Sequence, residues 1–198
     1  MSHDQKKLRN LVKVGILSAM SFILMFVQFP IPVAPPFMKV DLADVPALIG
    51  GFSMGPVYGV LIQLIKNVLN LTKTSTGGVG EISNFIVGGL FVFISASIYK
   101  KNKTKKNATI AMVCGVLVMT LAATFSNAFV IFPLYGKAMG VDMSAFVAMA
   151  HKTNALVNSY FTMMLFAIVP FNLIKGFLEV LVTKLLYKHV SSILHDRR

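Results

Sequence analysis

Apolar residues occupy this chain in long blocks, and the breaks between them are rich in Pro, Gly or Lys. Blocks of this length predict membrane-scale helices rather than buried strands, whose apolar runs span about 4–8 residues. The first block runs from about Leu11 to Phe29 and stops at PIPVAPPF, where closely spaced prolines exclude helix and favour an extended loop. A short second block, about Val45 to Met54, breaks at Gly55-Pro56. The third, about Val57 to Leu71, carries Gln63, Lys66, Asn67 and Asn70 at helical spacing on one polar stripe. After TKTSTGGVGE comes a fourth, about Ile82 to Tyr99, and after KKNKTKKN a fifth, about Ala108 to Phe132. The last, about Ala155 to Tyr187, holds Pro170 and so predicts a kink. Together they predict an all-α membrane protein, a single bundle of six transmembrane helices.

Composition supports that class. Of 198 residues, 56% are hydrophobic and 13% charged, and the mean hydropathy is +0.74. Soluble domains are nearer about half apolar and a quarter charged. Six crossings with their loops leave no room for a soluble catalytic domain.

The net charge of +12 would suggest nucleic acid in a soluble chain. Here the basic residues cluster at helix edges, as a topology signal does, so no nucleic-acid partner is expected. With the amino end inside, the inner stretches hold Lys6, Lys7, Arg9 and Lys13, then the five lysines from Lys100 to Lys106, then Lys184, Lys188, Arg197 and Arg198. That is thirteen of nineteen basic residues, and it predicts that both termini are cytoplasmic. Fusing the second and third blocks would put the lysine-rich loop outside, so the charge pattern favours a break at Gly55-Pro56. The amino end resembles a signal peptide, but its apolar part is long and no small-residue cleavage site closes it, which predicts a retained first helix. Cys114 is the one cysteine, which excludes an internal disulfide or a Cys-based metal site.

Three connections then face outward: PIPVAPPFMKVDLAD, TKTSTGGVGE and PLYGKAMGVDMSAFVAMAHKTN. Loops of this size and composition can close over a pocket. The short second block is of the broken-helix kind that marks binding sites in transporters, although it lacks a symmetric mate.

Polar residues inside membrane segments are costly unless paired, which makes them functional candidates. Asn127 lies in the outer half of the fifth block. Asn172 and Lys175 follow Pro170 and share a helix face, and Glu81, Ser83 and Asn84 open the fourth block. Structural roles compete with each of these. Lys175 can pair with Glu179 at i+4, and Asn127 can bond a neighbouring helix. Glu81 suits a helix's first turn, and Asp44 followed by Pro46 reads as an N-cap. Carboxamides offer a donor and an acceptor together and, with Met and Phe walls, suit a flat, largely uncharged heterocycle. No paired His spacing, nucleophile elbow or phosphate-cradling Gly-Lys loop is present, so an intramembrane enzyme is the weaker hypothesis and ATP, if used, must be hydrolysed by another chain.

VDLADVPALIGGFSMGPVYGVLIQLIKNVLNL, GEISNFIVGG and PFNLIKGFLEV, in this order and spacing, resemble the substrate-binding S components of energy-coupling factor (ECF) vitamin transporters, specifically those for riboflavin. The likeness covers most of the chain. It implies six helices holding one vitamin molecule in an external cavity, capped by the first loop, whose end matches Asp41 and Leu42. It further implies ligand contacts from Asn127, Asn172 and Lys175, and from Glu81, Asn84 and Leu42. Riboflavin, with FMN as a further candidate, would be the transported ligand, and no cofactor is implied. The expected partners are membrane lipid, a membrane T component and two cytoplasmic ATPase subunits. The family's small-x-x-x-small docking patch matches Gly15 and Ala19, with Ser18 between them. A different vitamin remains the alternative cargo.

Overall fold

The computed structural model of the protein describes residues 3–74 and 76–194; His195, Arg197 and Arg198 lie outside them. The apolar blocks fold as helices: α1 His3–Leu24, α2 Asp44–Met54, α3 Pro56–Asn70, α4 Val79–Lys101 and α5 Lys105–Ser126. A π turn at Asn127–Ile131 joins α5 to α6, Phe132–Met139. After α7, Met143–Thr153, come α8, Tyr160–Met163, a second π turn at Met164–Ile168, and α9, Val169–Leu194.

Three boundaries differ from the pattern. The first helix ends at Leu24 rather than near Phe29, because Phe29–Pro30 (β1) turns back to pair antiparallel with Lys39–Val40 (β2) across the proline-rich loop. The third outward connection contains α7, whose Phe146 and Ala150 are buried in an apolar cluster with Phe132, Met163 and Ile168. The last helix starts at Tyr160 rather than Ala155. There Ser159 and Thr162 form a reciprocal capping box whose hydroxyls accept from each other's backbone N–H groups, satisfying orphan N-terminal donors.

Both π turns sit just ahead of a proline, Pro133 and Pro170. A proline ring clashes with the carbonyl four residues back, and widening that turn removes the conflict without ending the helix. The expected disturbance at Pro170 thus takes the form of a wide turn, with a mate at Pro133. The two turns also pack against each other.

The Gly55-Pro56 break is real. Gly55 has φ of 115°, open to glycine and rarely to other residues, and Pro56 begins α3. The reversal lays α2 on α3 so tightly that a Cβ on Gly59 would stand 2.5 Å from Val92 Cγ1 and 3.0 Å from Gly51 Cα. Around this contact Leu48, Phe52, Ile62, Phe91 and Met112 form the main apolar core.

Val79–Lys101, Lys105–Ala138 and Tyr160–Leu186 are long and apolar enough to cross a membrane. Their outward faces expose Leu121, Phe125, Phe129, Phe161 and Phe177. This is the inverse of a soluble surface and makes the protein an integral membrane protein.

Candidate functional site

The site's carboxamides lie at or just beyond the two π turns. Asn127 opens the first, and Asn172 lies one turn after the second. Each donates its side-chain N–H to the carbonyl four residues back, Asn127 to Ala123 and Asn172 to Ile168, both at 2.8 Å. That bond fixes the amide's orientation and, among the described residues, leaves its oxygen and one N–H without a hydrogen-bond partner. The Tyr160 hydroxyl donates to the Ala128 carbonyl at 2.7 Å, satisfying a backbone group in the widened turn.

Both amides line a cavity of about 310 Å³ at the end of the bundle where the long loops gather. This is the lower end of the roughly 300–1,000 Å³ range of small-molecule sites. Phe37 from the first loop with Phe132 and Tyr135 of α6 form an aromatic wall, with Phe37 lying 6.2 Å from each of the other two rings between centroids. Met25, Gln28 and Met38 border it on the hairpin side.

Lys175 stands in the floor. Its ammonium lies 3.4 Å from Asp44 Oδ2, 3.8 Å from Glu179 Oε1 and 3.9 Å from Asp41 Oδ1. All three are longer than the about 2.7–3.2 Å of a direct hydrogen bond. The Lys175–Glu179 pair expected as a competing role therefore exists, yet the same ammonium still faces the cavity.

Asp44 is not an N-cap. The residue at the cap position is Ala43, without a side-chain cap, and Asp44 points into the bundle with no exposed surface. There it accepts from Gln63 Nε2 at 2.9 Å and pairs with Lys66, so half of the polar stripe of α3, Gln63 and Lys66, lines a buried carboxylate. A buried carboxylate requires such partners, and two lysines and an amide outweigh one backbone N–H. The turn-forming role belongs to Asp41, which accepts from the Ala43 N–H at 2.9 Å.

Glu81 lies in the first turn of α4 and lines the cavity, but both its oxygens are engaged. Oε1 accepts from Asn70 at 2.8 Å; Oε2 accepts from the hydroxyls of Thr74 and Thr76 at 2.9 and 3.2 Å. Those hydroxyls in turn accept from Thr76, Gly78 and Gly80 N–H groups, so the loop before α4 is wrapped around one carboxylate. Asn84 also lines the cavity, whereas Leu42, half-buried, is outside its lining.

Gly15 and Ala19 face outward on α1, and a Cβ at Gly15 would meet nothing within 4 Å. Ser18 does not share that strip: it is turned inward and buried, because it lies three residues past Gly15 and toward the Val14 face of the helix. The aromatic wall and the Asp44 network escaped the sequence reading. The signals were there in Phe132-Pro133 and in the Gln63, Lys66, Asn67 spacing, but neither names its partner across the bundle.

Residues 9–187 match the family model described as ECF transporter, substrate-specific component. The chain is 33% identical to the riboflavin transporter RibU of Staphylococcus aureus (strain TCH60), over 94% of this chain and 92% of that protein. It is 32% identical to the riboflavin transporter FmnP of Bacillus subtilis (strain 168), over 97% of each. Among solved structures it is similar to the S component of a bacterial ECF transporter, with a TM-score of 0.75 and 32% identity over 97% of this chain and 99% of that one.

Proposed function

The chain belongs to the substrate-specific components of ECF transporters, and from that premise we propose that it captures riboflavin in the loop-end cavity and delivers it for uptake. Its role is to bind cargo within a transporter, so it is not an enzyme, and riboflavin is cargo rather than cofactor. The observation that carries the reading is the convergence of Asn127, Asn172 and Lys175 on one aromatic-walled cavity. Oriented amides match the imide-like edge of a flavin ring, and Phe37, Phe132 and Tyr135 supply apolar surface for its faces. Asn84 is a further contact. Leu42 contributes through the end of the first loop, and Glu81 through the loop it holds together.

The six membrane crossings are α1, α2, α3, α4, the α5–α6 rod and the α8–α9 rod. The lysine-rich turn between α4 and α5 faces the cytoplasm with both termini, as the excess of basic residues there favours, and the cavity opens outside. Gly15 and Ala19 offer a flat patch for the helices of a T component, which two cytoplasmic ATPases would serve, while the remaining outward faces meet lipid.

Protein purified from cells grown in rich medium is expected to be yellow, with flavin absorbance. After the ligand is removed, titration should quench riboflavin fluorescence at one molecule per chain, and FMN is tested beside it as a second cargo. A colourless protein that leaves riboflavin fluorescence unchanged would overturn the assignment.

A further inference from the structure

The floor of the cavity is one end of a longer charged array. Asp41, Asp44 and Glu179 surround Lys175, while Lys66 and Gln63 close on the far oxygen of Asp44. Asp44, Lys66, Gln63 and Glu179 have no exposed surface, and only Lys175 and Asp41 reach the cavity, each with side chains 10% exposed. α2, α3 and α9 thus meet through a single carboxylate. Gly88 of α4 closes the remaining side: a Cβ there would stand 3.1 Å from Asp44 Oδ1.

A lysine side chain is long and flexible, and an ammonium needs several partners to keep one position. At Lys175 the nearest partner is Asp44, and Asp44 is itself immobilised by Gln63 and Lys66. The Asp41 and Asp44 carboxylates beside the ammonium also offset its charge. A donor so compensated suits an uncharged carbonyl or hydroxyl oxygen better than an anion. Its distances to all three leave N–H donor capacity toward the cavity.

We propose that Asp44, fixed by Lys66 and Gln63, is a positioning residue that sets where the Lys175 ammonium stands in the cavity and reserves it for a neutral acceptor of the cargo. This rests on riboflavin being that cargo. Asp44 lies outside the cavity lining, so its influence passes through Lys175.

The test is a double-mutant cycle on the purified full chain, read by riboflavin fluorescence quenching. Asp44→Asn with Lys66→Gln removes the pair without leaving a lone buried charge, and it is measured in the wild-type and Lys175→Met backgrounds. Removing the pair should weaken binding about 10- to 100-fold when Lys175 is present and less than about threefold when it is not, the non-additivity of groups that act in one network. Asp44→Glu keeps the charge but moves it by one methylene, and a loss of about tenfold is expected there too. Equal losses in both backgrounds, or wild-type affinity in either Asp44 variant, would overturn the positioning role. Failure of the wild-type chain to bind riboflavin would instead overturn the cargo assignment, and the proposal with it.

Discussion

Lys66 and Lys175 approach the two oxygens of Asp44 from different helices, Lys66 from α3 where no side-chain surface is exposed, Lys175 from α9 at the cavity floor. Chemically the two pairs are alike, a primary ammonium against one carboxylate. Their surroundings give them different work. In the sealed half, Gln63 and Lys66 saturate Oδ1, and the bond locks α3 to α2. In the open half, Lys175 keeps its distance from three carboxylates and retains donors toward the cavity. What differs is whether the ammonium's remaining hydrogens end in the protein or in the cavity, and on the proposed reading that decides whether a lysine in this bundle serves the fold or the cargo.

The sharpest way to break this contrast is to remove each lysine alone. Lys66→Met strands a buried Asp44 carboxylate beside a single remaining cation, and losing one partner of a buried pair costs about 3–5 kcal/mol. Thermal unfolding of the ligand-free protein should therefore drop by many degrees. An unchanged midpoint would mean that the α3 stripe is not structural.

On the open side the loss should appear in binding. Asn172→Ala, Asn127→Ala or Lys175→Ala is expected to weaken riboflavin by about 1–3 kcal/mol, the usual cost of an unmet polar partner. Saturating ligand should then raise the melting point less than it does in the wild type, since stabilisation by a ligand follows its affinity. Wild-type affinity in a variant combining Asn172→Ala and Lys175→Ala would remove these residues from the site and leave Lys175 as a partner of Glu179 alone.

A smaller effect is expected where the cavity wall is held indirectly. Thr74→Val removes one donor from Glu81 Oε2 and the acceptor of two loop N–H groups. The expected cost is about 0.5–1.5 kcal/mol of local stability. Amide exchange in the loop should speed up, while exchange in α4 beyond its first turns stays as it was. Unchanged exchange in the loop would show that Glu81 does not organise it.

The part of this arrangement legible in the sequence was the part that is local. Long apolar blocks read directly as helices, and Gly55-Pro56 as a break, because a positive φ and a missing N–H act on the chain at that point. Asn127, Asn172 and Lys175 stood out because an apolar background makes any polar side chain conspicuous. The role of Asp44 was hidden, since helix-start chemistry and a buried ion pair place the same residue type before the same proline, and only the packing of α3 against α2 decides between them. The π turns were hidden for a related reason. A proline announces a disturbance, but whether the helix bends, ends or widens depends on which neighbour can donate to the freed carbonyl, and here the Tyr160 hydroxyl does so from 32 residues away.

The smallest effect on the isolated protein is expected from the outer face of α1, and it extends the contrast from inside the bundle to its surface. Gly15 and Ala19 touch no part of the cavity, and a Cβ on Gly15 finds open space. Replacing both with Leu should therefore leave riboflavin affinity and melting temperature nearly as in the wild type, within the about 0.5 kcal/mol usual for exposed positions. In lipid, however, a strip of small residues allows another helix's backbone to come close, and two leucines would hold it away. Riboflavin uptake into cells should then collapse while the purified chain still binds. Loss of binding or folding in this variant would mean that the strip packs within its own chain. Normal uptake would place the partner elsewhere. Ser18 supplies the control, because it lies on the same helix but faces inward: Ser18→Leu should lower stability first, with uptake falling only as far as folded protein does.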